Sequence, residues 1–69
     1  MDINHIFGAK VKEQRLSQKL SQEKLANMAE IDRIYLPEIE QCQRKISLSI
    51  AKRIANALNV KLTDLLAGE

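Results

Sequence analysis

Two short amphipathic segments separated by only a few residues constrain the fold of this chain more than any other feature. They lie between Ser21 and Gln41, in the sequence SQEKLANMAEIDRIYLPEIEQ. Ser21 is a favourable N-cap, because its hydroxyl can accept a hydrogen bond from a free N–H of the first helical turn. Leu20 and Leu25 are spaced to pack across this start as a hydrophobic staple. Asp32 is the N-cap candidate of the second segment, so the stretch predicts two helices joined by a tight turn.

Apolar residues at helical spacing predict that the rest of the chain is also helical. Within the first of the two segments the apolar face consists of Leu25, Ala26, Met28 and Ala29. A preceding helix carries Ile3, Ile6, Phe7 and Val11; a fourth helix, capped by Ser47, carries Leu48, Ala51, Ile54, Ala55 and Leu58; a final short helix runs from about Leu62 to Leu66. Two short helices with almost no linker between them form a helix-turn-helix, here at the centre of a five-helix arrangement.

Composition supports an all-α fold and a single domain over residues 1–69. Apolar residues make up 45% of the chain, yet there is one Phe, one Tyr and no Trp, which predicts an aliphatic core. Two Gly and one Pro leave little room for hairpins. The formal charge of +2 permits binding to nucleic acid but does not predict it alone.

Several function classes are disfavoured by what the sequence lacks. One His and one Cys cannot supply a metal quartet, neither has a neighbour that indicates a nucleophile and its base, and Gly8 and Gly68 are isolated, so no phosphate loop is present. We therefore expect no enzyme, no metal and no cofactor. The single Cys42 and the absence of a secretory leader or of about 20 consecutive apolar residues predict a cytoplasmic protein with no membrane partner.

Residue types and spacings over several helices resemble those of the lambda-repressor and Cro family of DNA-binding domains. The resemblance extends from about Phe7 to Leu66, and it rests on Gln22, Leu25-Ala26, Ile31, Ile39-Glu40 and Ala55-x-x-Leu58-x-Val60. Within that family, Asp32-Arg33-x-Tyr35 followed by Ile39-Glu40 and Arg44 is similar to the small controller proteins of restriction-modification systems. The resemblance implies a transcriptional regulator that binds double-stranded DNA, in many cases as a homodimer on a two-fold symmetric operator.

The resemblance also implies where DNA would be bound. In this fold the N-terminal end of the second motif helix enters the major groove, which places Arg33, Ile34, Tyr35 and Glu38 nearest the bases. Arg33 can pair with guanine O6 and N7, Ile34 can contact a thymine methyl, and Glu38 can accept from cytosine N4. Because an acid is repelled by phosphates, the alternative is that Glu38 points away; Tyr35 reaches either a base edge or a phosphate.

Backbone contacts are expected from Gln22, which resembles the family's phosphate-clamping Gln, and from Arg44 and Lys45. For Arg44 the minor groove is an alternative target. The family pattern also predicts a partly buried ion pair between Arg15 and Glu40. For the last helix two interpretations remain open: Leu62, Leu65 and Leu66 form a dimer contact, or they close the core of the chain itself.

Three residues depart from the family pattern. Glu30 and Cys42 stand where glycine is usual, and a left-handed backbone conformation at Glu30 would cost about 1–2 kcal/mol of strain. Pro37 lies within the second motif helix, where it has no N–H for the Arg33 carbonyl. It predicts an irregular first turn from Arg33 to Leu36.

Two further functions remain open beside operator binding. The same fold could serve as a protein-interaction module, such as an anti-repressor or adaptor, and the low net charge, Glu38 and Pro37 favour that interpretation. Within the DNA-binding class, an antitoxin-type or phage-type repressor is the alternative. The cluster of Gln22, Arg33, Arg44 and Lys45 on one expected surface favours DNA.

Overall fold

The computed structural model describes residues 3–43 and 45–66, with side chains from His5 onward, and all regular structure in this part of the chain is helical. Its elements are α1 (Ile3–Ser17), α2 (Gln22–Ala29), α3 (Tyr35–Glu40), α4 (Leu48–Leu58) and α5 (Leu62–Leu66). The predicted all-α, five-helix architecture is confirmed. Helix α3 packs against both α1 and α2, and α5 packs against α1 and α4.

Local capping explains why the helices begin and end where they do. The Ser21 hydroxyl accepts from the Lys24 N–H at 3.0 Å, and the Ser47 hydroxyl accepts from the Ile50 N–H at 3.1 Å, as predicted for both serines. After the last helical turns, the chain reverses through residues with positive φ, and none of them is glycine: Lys19, Glu30, Cys42 and Asn59. Glu30, which stands where the family usually has glycine, adopts the left-handed conformation, with φ 59° and ψ 43°. Each such turn costs about 1–2 kcal/mol of strain and is offset by backbone hydrogen bonds that close the helix end.

The core is aliphatic, as the composition predicted, with Phe7 as its aromatic member. Its fully buried large side chains are Phe7, Val11, Leu25, Leu36, Ile39, Ile54, Leu58 and Leu65. Two residues assigned to apolar faces from the sequence are instead exposed: Met28 by 44% and Leu48 by 63%. Met28 falls at the edge of the α2 face that Leu25 and Ala29 define, and Leu48 is the first residue of α4, so neither reaches the core.

The last helix requires a correction. Leu65 is 1% exposed and belongs to the core of the chain, so it is not available as a dimer contact. In α5 the two neighbouring leucines, Leu62 and Leu66, are only half-buried against that core. Because side chains in a short helix point in different directions, one turn contributes both an inward leucine and partly exposed ones.

Pro37 is accommodated by a late helix start. Asp32 does not cap a regular helix; its Oδ1 accepts from the Ile34 N–H at 3.0 Å in a local turn, and α3 begins at Tyr35, two residues later than predicted. The Arg33 carbonyl accepts from the Leu36 N–H at 3.3 Å instead of from residue 37. The predicted irregular turn is therefore present. Pro37 is the third residue of α3, where no N–H is required within the helix.

Close packing of α1 on α3 depends on Gly8. A Cβ added at this position would lie 2.2 Å from the Ile39 carbonyl oxygen, which is backbone and cannot rotate away. From the sequence, Gly8 was interpreted only as an isolated glycine. Its role is to let the backbones of the two helices approach each other.

Replacing Gly8 with alanine should destabilise the protein, although the same change in an exposed helix stabilises it. We expect the free energy of unfolding to fall by about 1–3 kcal/mol, the usual cost of overpacking. Ala9→Gly, at the neighbouring exposed position, calibrates the intrinsic helix preference, which is about 0.5–1 kcal/mol. The measurement is urea unfolding, and a Gly8→Ala protein more stable than the parent would refute the close approach.

Candidate nucleic-acid interface

A buried ion pair joins the first helix to the third. The Arg15 Nε donates to Glu40 Oε2 at 2.7 Å and its NH2 donates to Glu40 Oε1 at 3.1 Å, so the guanidinium contacts the carboxylate as a fork. The remaining nitrogen, NH1, donates to the Leu20 carbonyl at 2.8 Å. The Arg15 and Glu40 side chains are 10% and 3% exposed. The pair predicted from the family pattern is therefore present, and each of the three guanidinium nitrogens donates a hydrogen bond.

Electrostatics keep Arg15 charged. The hydrogen bond to Glu40 raises the pKa of Arg15 above its ordinary value, and the attraction of the carboxylate adds to this effect, while burial opposes it. A raised pKa in the folded protein means that the contribution of this group to stability is fully present below the ordinary arginine pKa. It is lost only at a pH far above the physiological range.

Glu40 also holds Gln22, the residue expected to contact the DNA backbone. The Gln22 amide donates from Nε2 to Glu40 Oε1 at 3.1 Å, so one carboxylate links α1, α2 and α3. This bond fixes which end of the amide faces the carboxylate. The same nitrogen carries a second N–H, which is the group suited to a phosphate oxygen.

The turn before α3 exposes two of the residues expected at the base edges. Ile34 is 60% exposed, and the Arg33 side chain is 72% exposed. An open surface pocket of about 270 Å³ is lined by Gln22, Glu23, Arg33, Ile34 and Pro37. The structure thus brings one expected backbone contact and two expected base contacts to one surface.

Two of the remaining expected contacts, Tyr35 and Lys45, lie together at a second pocket. Tyr35 and Lys45 line a pocket of about 250 Å³ together with Ile39, Ile46, Ser47 and Ile50. Lys45 is exposed, while Tyr35 and Glu38 are half-buried. Arg44, expected at the backbone or minor groove, lies outside the described residues.

Sequence reasoning missed one residue at this surface. Glu23 lies in the first turn of α2, where an acid favours the positive helix end, and nothing in the sequence marks it as part of a binding surface. In the structure its Oε2 lies 3.5 Å from the Arg33 NH1. No pattern in the sequence signals this contact, because Glu23 lies in α2 and Arg33 in the turn before α3, and the two come together only when the motif is folded.

Two negative findings apply to residues 3–43 and 45–66. No group of three or more His, Cys, Asp or Glu residues there could hold a metal ion. No helix in that part of the chain is long and apolar enough to cross a membrane.

Comparisons with known proteins give matches to helix-turn-helix proteins over most of the chain. A family model described as "Helix-turn-helix" matches residues 11–65. Control protein C.BamHI of Bacillus amyloliquefaciens is 42% identical over 66 residues, which is 94% of this chain and 82% of that protein. Control protein C.SmaI of Serratia marcescens is 36% identical over 66 residues, covering 96% and 79%. Among solved structures, the restriction-modification controller protein C.AhdI from Aeromonas hydrophila superimposes with a TM-score of 0.86 at 35% identity, covering 90% of this chain and 94% of that one.

The Arg15–Glu40 pair should show strong energetic coupling. Arg15→Met or Glu40→Leu alone leaves a buried charge without its partner, and we expect each to cost about 3–5 kcal/mol of unfolding free energy. The double variant should cost clearly less than the sum, as measured by a double-mutant cycle in denaturant. The exposed pair of Glu23 and Arg33 is the matched control, with an expected coupling of at most about 1 kcal/mol. Additive costs at Arg15 and Glu40 would contradict the interpretation.

Proposed function

The chain belongs to the helix-turn-helix family and is a DNA-binding transcriptional regulator, and from this premise we propose that it is a controller protein of a restriction-modification system. It acts by binding and not by catalysis, as its family does. We further propose that residues 1–69 form one domain that binds a two-fold symmetric operator as a homodimer. The observation that carries the proposal is similarity to control proteins over nearly the whole chain.

Sequence choice is assigned to the turn before α3 and to the start of that helix. Arg33 and Ile34 are exposed beside each other, as side chains must be if they are to reach base edges in the major groove. The Arg33 fork suits guanine O6 and N7, and Ile34 suits a thymine methyl. Tyr35 and Glu38, half-buried on α3, complete the proposed base-reading set.

We assign DNA affinity, and the position of the protein along the duplex, to side chains that contact phosphates. Gln22 presents an amide whose orientation is fixed by Glu40, and Lys45 is an exposed cation beside Tyr35. Arg44 is assigned to this set from the sequence. Contacts of this kind carry no sequence information, but they fix how the protein lies on the duplex.

The homodimer is supported by the last helix. With Leu65 turned into the core, Leu62 and Leu66 remain half-buried at the surface of α5. A partner copy that packs on them would remove more of their apolar area from water. Two copies related by a two-fold axis would read two matching half-sites.

Alanine substitutions should separate the two kinds of contact. Arg33→Ala should weaken binding to the preferred site by about 1–3 kcal/mol with little change on random DNA, because it removes a base contact. Lys45→Ala should weaken both about equally and lower the salt dependence, because it removes a phosphate contact. Lys61→Ala, an exposed cation in the turn before α5, is the control for the loss of charge alone.

The measurement is a titration of labelled DNA, monitored by fluorescence anisotropy at several salt concentrations. Equal losses on both kinds of DNA for Arg33→Ala would move Arg33 to the phosphate contacts. No loss on either DNA for both variants would contradict the proposed DNA surface.

A further inference from the structure

We propose that Glu23 is a positioning residue for sequence choice: its carboxylate holds the Arg33 guanidinium at the base-reading surface and limits it to guanine. This inference rests on the base contact proposed for Arg33. Glu23 itself is not assigned a contact with DNA. Its effect is exerted through Arg33.

The geometry places the Glu23 carboxylate within reach of the Arg33 guanidinium. Glu23 is the second residue of α2, and Arg33 lies in the turn before α3, so their 3.5 Å contact joins α2 to that turn. Both belong to the lining of the pocket that also contains Gln22, Ile34 and Pro37. The acid is therefore located among the residues that carry the proposed affinity and specificity.

Exposure decides what the pair can contribute. The two side chains are 72% and 66% exposed for Arg33 and Glu23, so water screens the charges and the pair adds little to folding. The ion pair can nevertheless influence DNA binding, through the conformational freedom of the Arg33 side chain. A free arginine side chain loses rotamer freedom when it is fixed on a base, and a residue that already restricts it reduces that loss.

The hydrogen-bonding capacity of arginine allows both contacts at once. A guanidinium has five N–H donors, and a single contact from NH1 to Glu23 leaves donors for guanine O6 and N7. Guanine presents two acceptors to this fork. Adenine presents one acceptor and one donor, so the fork is not satisfied there.

Glu23 also disfavours an alternative contact of Arg33 with phosphate on DNA that lacks the preferred base. Without it, Arg33 could swing from an unsuitable base to a neighbouring phosphate and recover much of the lost energy. With it, that movement separates the ion pair and leaves a carboxylate beside the negatively charged backbone. Glu23 should therefore lower affinity for random DNA more than affinity for the preferred site.

The test compares Glu23→Gln with the parent on three duplexes: the preferred site, the same site with the guanine read by Arg33 changed to adenine, and random DNA. We expect random-DNA affinity to rise, and the preference for the guanine site over each of the others to fall roughly three- to fivefold, the size of effect that an exposed ion pair supports. Glu30→Gln removes the same charge from the other end of α2, where the side chain is also exposed, and should leave both ratios unchanged.

Repeating Glu23→Gln in the Arg33→Ala background shows whether Glu23 acts through Arg33. We expect no further change in either ratio there. An equal fall in that background would mean that Glu23 reads the base itself, which overturns a positioning role. If Glu23→Gln leaves both preferences unchanged in the protein that retains Arg33, while Arg33→Ala lowers them, the role of Glu23 is refuted and the base contact of Arg33 stands. If Arg33→Ala leaves them unchanged, the proposed base contact fails, and the inference fails with it.

Discussion

The contact between Arg15 and Glu40 is the constraint on which the arrangement of the DNA-reading elements depends. One carboxylate receives two hydrogen bonds from α1 and one from the Gln22 amide of α2, while it is itself carried by α3. A buried pair of this kind adds less net stability than its short distances imply, because both charges lose water. Its consequence is geometric: α3 cannot rotate or slide without breaking the contacts that fix Gln22.

The second helix of the motif is short, and the residues before it form a hydrogen-bonded turn. α3 has six residues and begins at Tyr35. Arg33 and Ile34 therefore belong to the preceding turn, which is closed by hydrogen bonds from Tyr35 to Asp32 and from Leu36 to Arg33. This turn sets where both side chains leave the backbone, and the Arg33 guanidinium also contacts Glu23. The proposed base-reading surface is consequently a combination of turn and helix start, and α1, through its close approach at Gly8, packs against the other side of α3.

Much of the fold follows from the sequence, because the signals involved are local. The caps at Ser21 and Ser47 and the irregular turn before Pro37 depend on residues within one helical turn. Contacts between distant elements were accessible only where a family pattern encoded them, as for Arg15 and Glu40. The approach of Gly8 to Ile39, the pairing of Glu23 with Arg33 and the burial of Leu65 in preference to its neighbours depend on how helices cross, which periodicity does not specify. The assignment of Met28 and Leu48 to buried helix faces is wrong, because apolar spacing shows which side of a helix is buried but not how wide that side is or at which residue it begins.

Selection of bound sites from a random DNA library tests the central claim most directly, namely that this chain is a dimeric reader of a defined operator. The account predicts a two-fold symmetric consensus whose half-sites are centred about 10–10.5 base pairs, or a multiple of that spacing, apart, because each copy inserts one recognition element into the major groove. Each half-site should contain a guanine at the position that Arg33 reads. Recovery of sequences with no common motif, or of a single asymmetric half-site bound by one copy, would contradict it.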